Sequence, residues 1–149
     1  MEDLEVTHLL INKSGVLRYS EMIQLPTFEA RFEYLKLRGK VGEDTFGFDR
    51  WLNQYFYRSR RWRSTRNDII IRDAGCDLGI EDREIGQGLI IHHMNQITVE
   101  DVEQDAWWLY DPEFLITTSD STHKAIHYGD PNLLPKAFTP RSPGDTRLW

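Results

Sequence analysis

Four of the chain's five histidines fall into two tight groups. His92 and His93 close the apolar run "GLIIHHM", and His123 and His127 stand four apart in "TSDSTHKAIHYGD". On a helix, residues four apart are near neighbours, with about 6 Å between Cβ atoms, so His123 and His127 project from one face toward a common point. That is chelate spacing for a metal ion. In a strand, adjacent residues point to opposite faces, so one of His92 and His93 can turn toward that point and the other is left for a different task. A closed structural site would need a fourth protein ligand, and Cys76 is the single thiol in the chain that could supply it. Three imidazoles with open positions would instead leave room for water or substrate, as catalytic sites do. Taken alone, a His-x-x-x-His pair is more often structural than functional. A His-His strand end about thirty residues upstream of the pair, ahead of a capped helix, turns the balance toward a metal site.

These histidines need a strand and a helix to carry them. "CDLGI" and "GLIIHHM" are short β-rich runs joined by the polar "EDREIGQ", which reads as a hairpin with His92 and His93 at the end of its second strand. After an acidic aromatic stretch, Ser119 or Ser121 can cap a short helix through Tyr128 that Gly129 and Pro131 end. The expected order is strand, strand, helix. Upstream, "GFDRWLNQYFYRS" opens a helical region with Asp49 as its cap. It runs on through "RWRSTRNDIIIRDAG", with Trp62, Ile69 and Ile70 on one stripe and Gly75 as its stop. Nearer the N-terminus, "HLLINKSGVLRY" is β-like with a turn at Ser14-Gly15. In "LPTFEARFEYLKLRG", Thr27 can cap a helix that buries Phe28, Phe32 and Leu35 and stops near Gly39. Nothing chemical is visible there, and His8 reads as structural or exposed. The expected organisation is a packing extension over 1–47, the site-bearing domain over 48–130 and an extended tail over 131–149, which holds four of the six prolines.

Length and composition agree with one domain that has a real core: 149 residues, 40% hydrophobic, 28% charged, with aromatic residues too frequent for a disordered chain. No apolar run approaches the roughly 20 residues needed to span a bilayer, and "MEDLEV" lacks the layout of a signal peptide. The expectation is a soluble cytoplasmic protein with no membrane partner. One cysteine excludes an internal disulfide and a multi-cysteine zinc knuckle. A net charge of −6 opposes nucleic-acid binding on average, but the distribution is uneven. "RSRRWRSTR" places Arg58, Arg60, Arg61, Arg63 and Arg66 around Trp62, whereas 99–123 holds seven acidic residues and no lysine or arginine. Alone, the arginine run reads as a solvated helix face. Beside phosphate-directed chemistry it reads as a phosphate-binding one.

The run "FYRSRRWRSTRNDIIIRDAGCDLG", then "LIIHHMNQI", then "DPEFLITTSDSTHKAIHYG", resembles the HNH endonuclease superfamily over about half the chain, from near Tyr55 to Asp130. The His-His plus His-x-x-x-His version is similar to the colicin DNases, and the overall layout resembles small phage-encoded HNH proteins. The resemblance implies an α+β fold with a ββα-metal core, and a metal-dependent DNA endonuclease that leaves 5′-phosphate and 3′-hydroxyl ends. It implies His92, His123 and His127 as ligands of one divalent ion (Zn, Ni, Mn, Co or Mg) and His93 as the general base. DNA is the implied partner, with Arg60, Arg61, Arg63, Arg66, Arg72 and Lys124 as its unranked contacts. A phage protein of this kind would serve in the host cytoplasm, beside a terminase in DNA packaging or in mobile-element cleavage. Cys76 stands alone where zinc-stapled members carry paired cysteines, so no structural zinc is expected. Phe114 occupies the position of the family's middle asparagine, and its ring is expected to pack under the helix bearing His123. As pH falls below about 6.5, ordinary histidines protonate and would release the ion. Two rival readings are a catalytically retired ββα-metal domain that binds DNA or a partner protein, and a structural phage protein whose histidines are satisfied core residues.

Overall fold

The structure is a computed structural model that describes residues 15–36 and 50–136, the side chains of 50–53 excepted. His8, most of the β-like N-terminal segment, the expected stop at Gly39, the Asp49 cap and the tail beyond 136 lie outside the described residues. The fold is mixed helix and strand. Two short helices come first, α1 (Tyr19–Met22) and α2 (Phe28–Leu35). Thr27 caps α2 by accepting from Ala30 N, and Phe28, Phe32 and Leu35 are buried as their spacing predicts.

The central helical region is two helices, α3 (Arg50–Arg58) and α4 (Arg60–Arg72). The break is at Ser59, whose extended backbone lets its hydroxyl accept from Trp62 N and start α4 afresh. Trp62 and Ile69 are buried on one side of α4. The helix ends in a turn where Gly75, at φ 64°, donates its N–H to Ile70 O.

The expected hairpin is not formed. "CDLGI" is a 3₁₀ turn over Asp77–Gly79, tied to the following loop by one isolated bridge, Cys76 to Glu84. The strand that carries the histidines, β1 (Leu89–His93), pairs instead with β2 (Leu115–Ser119), antiparallel, with His92 opposite Ile116 and His93 opposite Leu115. The physical reason is burial. "LITTS" is rich in β-branched residues and is almost entirely buried, whereas Leu78 and Gly79 take left-handed backbone (φ 53° and 66°) that no strand accommodates. Between the strands lie α5 (Val99–Glu103), capped by a reciprocal Thr98–Asp101 box, and 3₁₀ turns over Trp107–Tyr110 and Pro112–Phe114. Ser119 ends β2 and caps α6 (Asp120–Tyr128), and Gly129 closes α6 at φ 63°.

The two strands divide the interior. On the His92 side, Ile116 joins Ala125 and Ile126 of α6, Leu78, Met94 and the apolar residues of α1 and α2 in one core. On the His93 side, Ile91 and Leu115 pack with Phe56, Trp62, Ile69 and Leu109 in a second. The N-terminal helices thus share one core with the helix that carries His123 and His127. Met94 N donates to Phe114 O, so the ladder falls on the even residues of β2 and the odd ones face its free edge. Side chains complete that edge. Arg72 Nη2 donates to Leu115 O at 2.6 Å, Asp73 accepts from Thr117 N at 2.9 Å and Asp77 accepts from Ser119 N at 3.1 Å. An exposed strand edge is thereby paired without a third strand.

Candidate metal centre

His92 is the penultimate residue of β1 and turns to the α6 side, where it meets both helix histidines edge-on with ring centroids 5.2 Å away. His123 and His127 lie one turn apart on α6 with rings 4.3 Å apart. One nitrogen from each of the three lies within 4.8 Å of the other two, close enough to hold a metal ion. The Nε2 atoms of His123 and His127 are 3.0 Å apart. That is a hydrogen bond when one of them is protonated, and it is also near the edge of about 3.3 Å in a tetrahedral set with metal–nitrogen bonds of about 2.0 Å. His92 Nε2 is buried and has no hydrogen-bond partner among the described residues. A buried imidazole nitrogen without a partner is costly in a structural core, and a bound cation would satisfy it.

Burial acts on all three. It lowers His123 and His127 to about 4, and His92 well below the ordinary value, the neighbouring histidines adding to the effect at His92 and His123. The cluster is therefore neutral at pH 7 and offers lone pairs, as metal binding requires. The ordinary value near 6.5 used for the sequence-based expectation of acid release does not apply to these residues.

His93 turns the other way, into the second core. Its ring stacks on Trp62 (5.0 Å, 20° between planes) and is flanked by Phe56 and Trp108. Its Nε2 lies 2.9 Å from Leu109 O. A carbonyl only accepts, so Nε2 carries the proton and, in the neutral ring, Nδ1 keeps the lone pair. Burial holds His93 at about 4, with the Leu109 bond a smaller opposing effect. Trp62 was visible in the sequence as a core residue, but not as the partner of His93, and the Leu109 carbonyl left no signal beyond the "WWLY" run that contains it.

Phe114 has its ring contacts in the preceding aromatic turn. It packs edge-on against Trp107 and Trp108, with the Arg18 guanidinium 5.5 Å from its ring centroid. Of the polar side chains near it in sequence, Asp111 caps the turn that holds Phe114, while Asn95 and Glu113 tie to the N-terminal segment. Asn95 makes two 2.9 Å bonds to the backbone of Leu17, Asp111 accepts from Glu113 N, and Glu113 accepts from Ser20 N.

The cations are in varied settings. Arg60 and Arg63 are exposed on α4 and form no ion pair with the described residues. Arg61 also reaches solvent but pairs with Asp105 at 3.2 Å and lies over the Tyr110 ring. Arg66 reaches Leu89 O at 3.4 Å, at the edge of β1. Arg72 is engaged within the fold by Asp73, Pro112 O, Leu115 O and the Tyr19 ring. Lys124 pairs with Asp120 one turn earlier on α6. No helix among the described residues is long and apolar enough to cross a membrane. Comparison of the chain with protein-family models, curated proteins and solved structures found no match to any of them.

Proposed function

We propose that the chain is a metal-dependent endonuclease of the HNH type, in which β1, β2 and α6 form the ββα-metal core and hydrolysis is directed at the phosphodiester bonds of DNA. The observation that carries the reading is the division of labour between adjacent histidines. His92 joins His123 and His127 in a three-nitrogen cluster, while His93, on the other face of the same strand, is held by a backbone carbonyl in the tautomer whose Nδ1 can accept a proton. A divalent ion bound by His92, His123 and His127 would polarise a phosphate oxygen and neutralise charge on the departing 3′ oxygen. His93 takes the proton from the attacking water, and its low basicity keeps it unprotonated across the neutral range. Three neutral imidazoles suit Zn²⁺, Ni²⁺, Co²⁺ or Mn²⁺, and a bound phosphate would help recruit Mg²⁺. Arg60 and Arg63 are the exposed cations of α4 suited to neighbouring phosphates, with Arg61, Arg66 and Lys124 more constrained by their partners. Phage DNA packaging beside a terminase in the host cytoplasm is the setting that the likeness to phage proteins suggests.

The test is cleavage of supercoiled plasmid by the purified chain across a panel of divalent ions, with a chelator control. Ion-dependent nicking or linearisation is expected, and loss of nicking in His93→Ala with the ion still bound. A second reading, a retired metal domain that binds DNA or a partner protein, is favoured by Phe114, whose ring offers neither donor nor acceptor. It is the result if the ion binds and plasmid stays intact.

A further inference from the structure

Asp77 is a buried carboxylate, 4% exposed, with no cationic partner among the described residues. Its hydrogen bonds converge on one short stretch of chain. Oδ1 accepts from Ser119 N at 3.1 Å, and Oδ2 accepts from Ser119 Oγ at 2.9 Å and from Thr122 Oγ1. Ser119 in turn caps α6 by accepting from Thr122 N at 3.1 Å. Both hydroxyls that face the carboxylate therefore belong to the first turn of the helix, whose next residue is His123. The carboxylate also lies at the N-terminal, positive end of the helix dipole.

The placement matters because α6 leaves β2 without an intervening loop. Ser119 is at once the last strand residue and the N-cap, so the helix could swing about that single joint. His92 is on β1 and the other two histidines are on α6, and a ligand set needs its members held to within about 0.5 Å. Ladder bonds fix β1 against β2, but they stop at the joint. Asp77 crosses it, gripping the strand side through Ser119 N and the helix side through Thr122 Oγ1. Asp77 is itself anchored from outside both elements. Its own N–H donates to Arg83 O at 2.8 Å, and the next residue's carbonyl accepts from the buried Arg31 at 2.8 Å.

We infer that Asp77 is a positioning residue for the metal centre, setting the register of α6 against β1 so that His123 and His127 meet His92. The inference rests on the reading of the three histidines as a metal site. In the full chain, Co²⁺ titration followed by its visible absorption reports both affinity and ligand geometry. It should be run at a temperature where circular dichroism shows each variant folded. Asp77→Ala is expected to weaken Co²⁺ binding by roughly tenfold or more and to alter the absorption envelope. Asp77→Asn keeps the shape, its Oδ1 can still accept from Ser119 N, and its amide can donate to Thr122 Oγ1, so it should recover most of the loss. Thr122→Val, which removes a single bond at constant volume, gives a milder loss of the same kind and serves if Asp77→Ala does not fold. Wild-type affinity and an unchanged spectrum in folded Asp77→Ala, or in Thr122→Val if the alanine variant does not fold, would reduce Asp77 to a stabilising contact and overturn the inference. No Co²⁺ binding by the unmodified chain would instead remove the metal reading beneath it.

Discussion

His92 and His93 differ by one position and by everything around them, and their substitutions should separate accordingly. His93→Ala should abolish cleavage yet leave metal affinity within a few fold, because the ring touches Trp62, Phe56 and Leu109 O, not the cluster. His123→Ala and His127→Ala should each lower metal affinity as well as activity. An equal loss of metal from His93→Ala, measured by the same titration, would sink the assignment. Phe114 allows a second test at this scale. It is nearly buried against Trp107 and Trp108, so Phe114→Asn should remove packing and bury an amide, at a cost of about 2–4 kcal/mol. Cleavage should not rise. A stable variant with much higher nicking would mean that Phe114 had disabled an enzyme, in favour of the retired-domain reading. The four histidines were legible in the sequence because a His-His strand end ahead of a His-x-x-x-His helix points to a site that neither pair suggests alone. Leu109 was not, since a backbone carbonyl acts as an acceptor whatever its side chain.

The elements were legible in proportion to how local their causes are. Thr27, Ser119 and Gly129 act within one turn, and α2 and α6 lie where those residues place them. The pairing of β1 with β2 spans the whole segment between Met94 and Phe114, and no local signal marks it. The nearby "CDLGI" run imitated a partner because it alternates Cys76, Leu78 and Ile80, of which Cys76 and Leu78 are buried, though in a left-handed turn and not a strand. The split of the basic helix at Ser59 was missed for the opposite reason: a capping serine inside a continuous helical pattern is easily read as one more exposed position. The split matters for function, since it starts α4 with Arg60 and turns Arg60 and Arg63 outward while Trp62 goes in. Arg60→Ala combined with Arg63→Ala should weaken DNA binding and reduce the slope of log affinity against log salt by roughly one unit per lost phosphate contact. An unchanged slope would make this face merely solvated and move DNA elsewhere on the molecule.

Across the whole molecule, the two cores meet at one pair of strands, and all four clustered histidines are buried or partly buried there. Their titration should therefore register in global stability. In the unfolded chain each would titrate near 6.5, whereas in the fold burial holds His93, His123 and His127 at about 4 and His92 well below its ordinary value. Above 6.5 both states are neutral and these residues make stability independent of pH. Between 6.5 and about 4 the unfolded chain binds protons that the folded chain refuses, so stability falls as pH falls. In the presence of a chelator, the melting temperature should thus decline from near pH 6.5 toward pH 4.5. Added Zn²⁺ or Co²⁺ at neutral pH should raise it, because a ligand that binds only the folded state stabilises it by mass action. Protons compete for the same lone pairs, so that metal-induced increment should shrink with acid, and with folded values near 4 most of it should survive at pH 6. His93→Gln separates the two effects, since it removes one buried titrating ring and leaves the three-nitrogen cluster: the acid decline should become shallower while the metal increment stays. A melting temperature constant from pH 7 to 4.5 without metal would contradict the burial of these rings. An increment lost in His93→Gln would place that residue among the ligands.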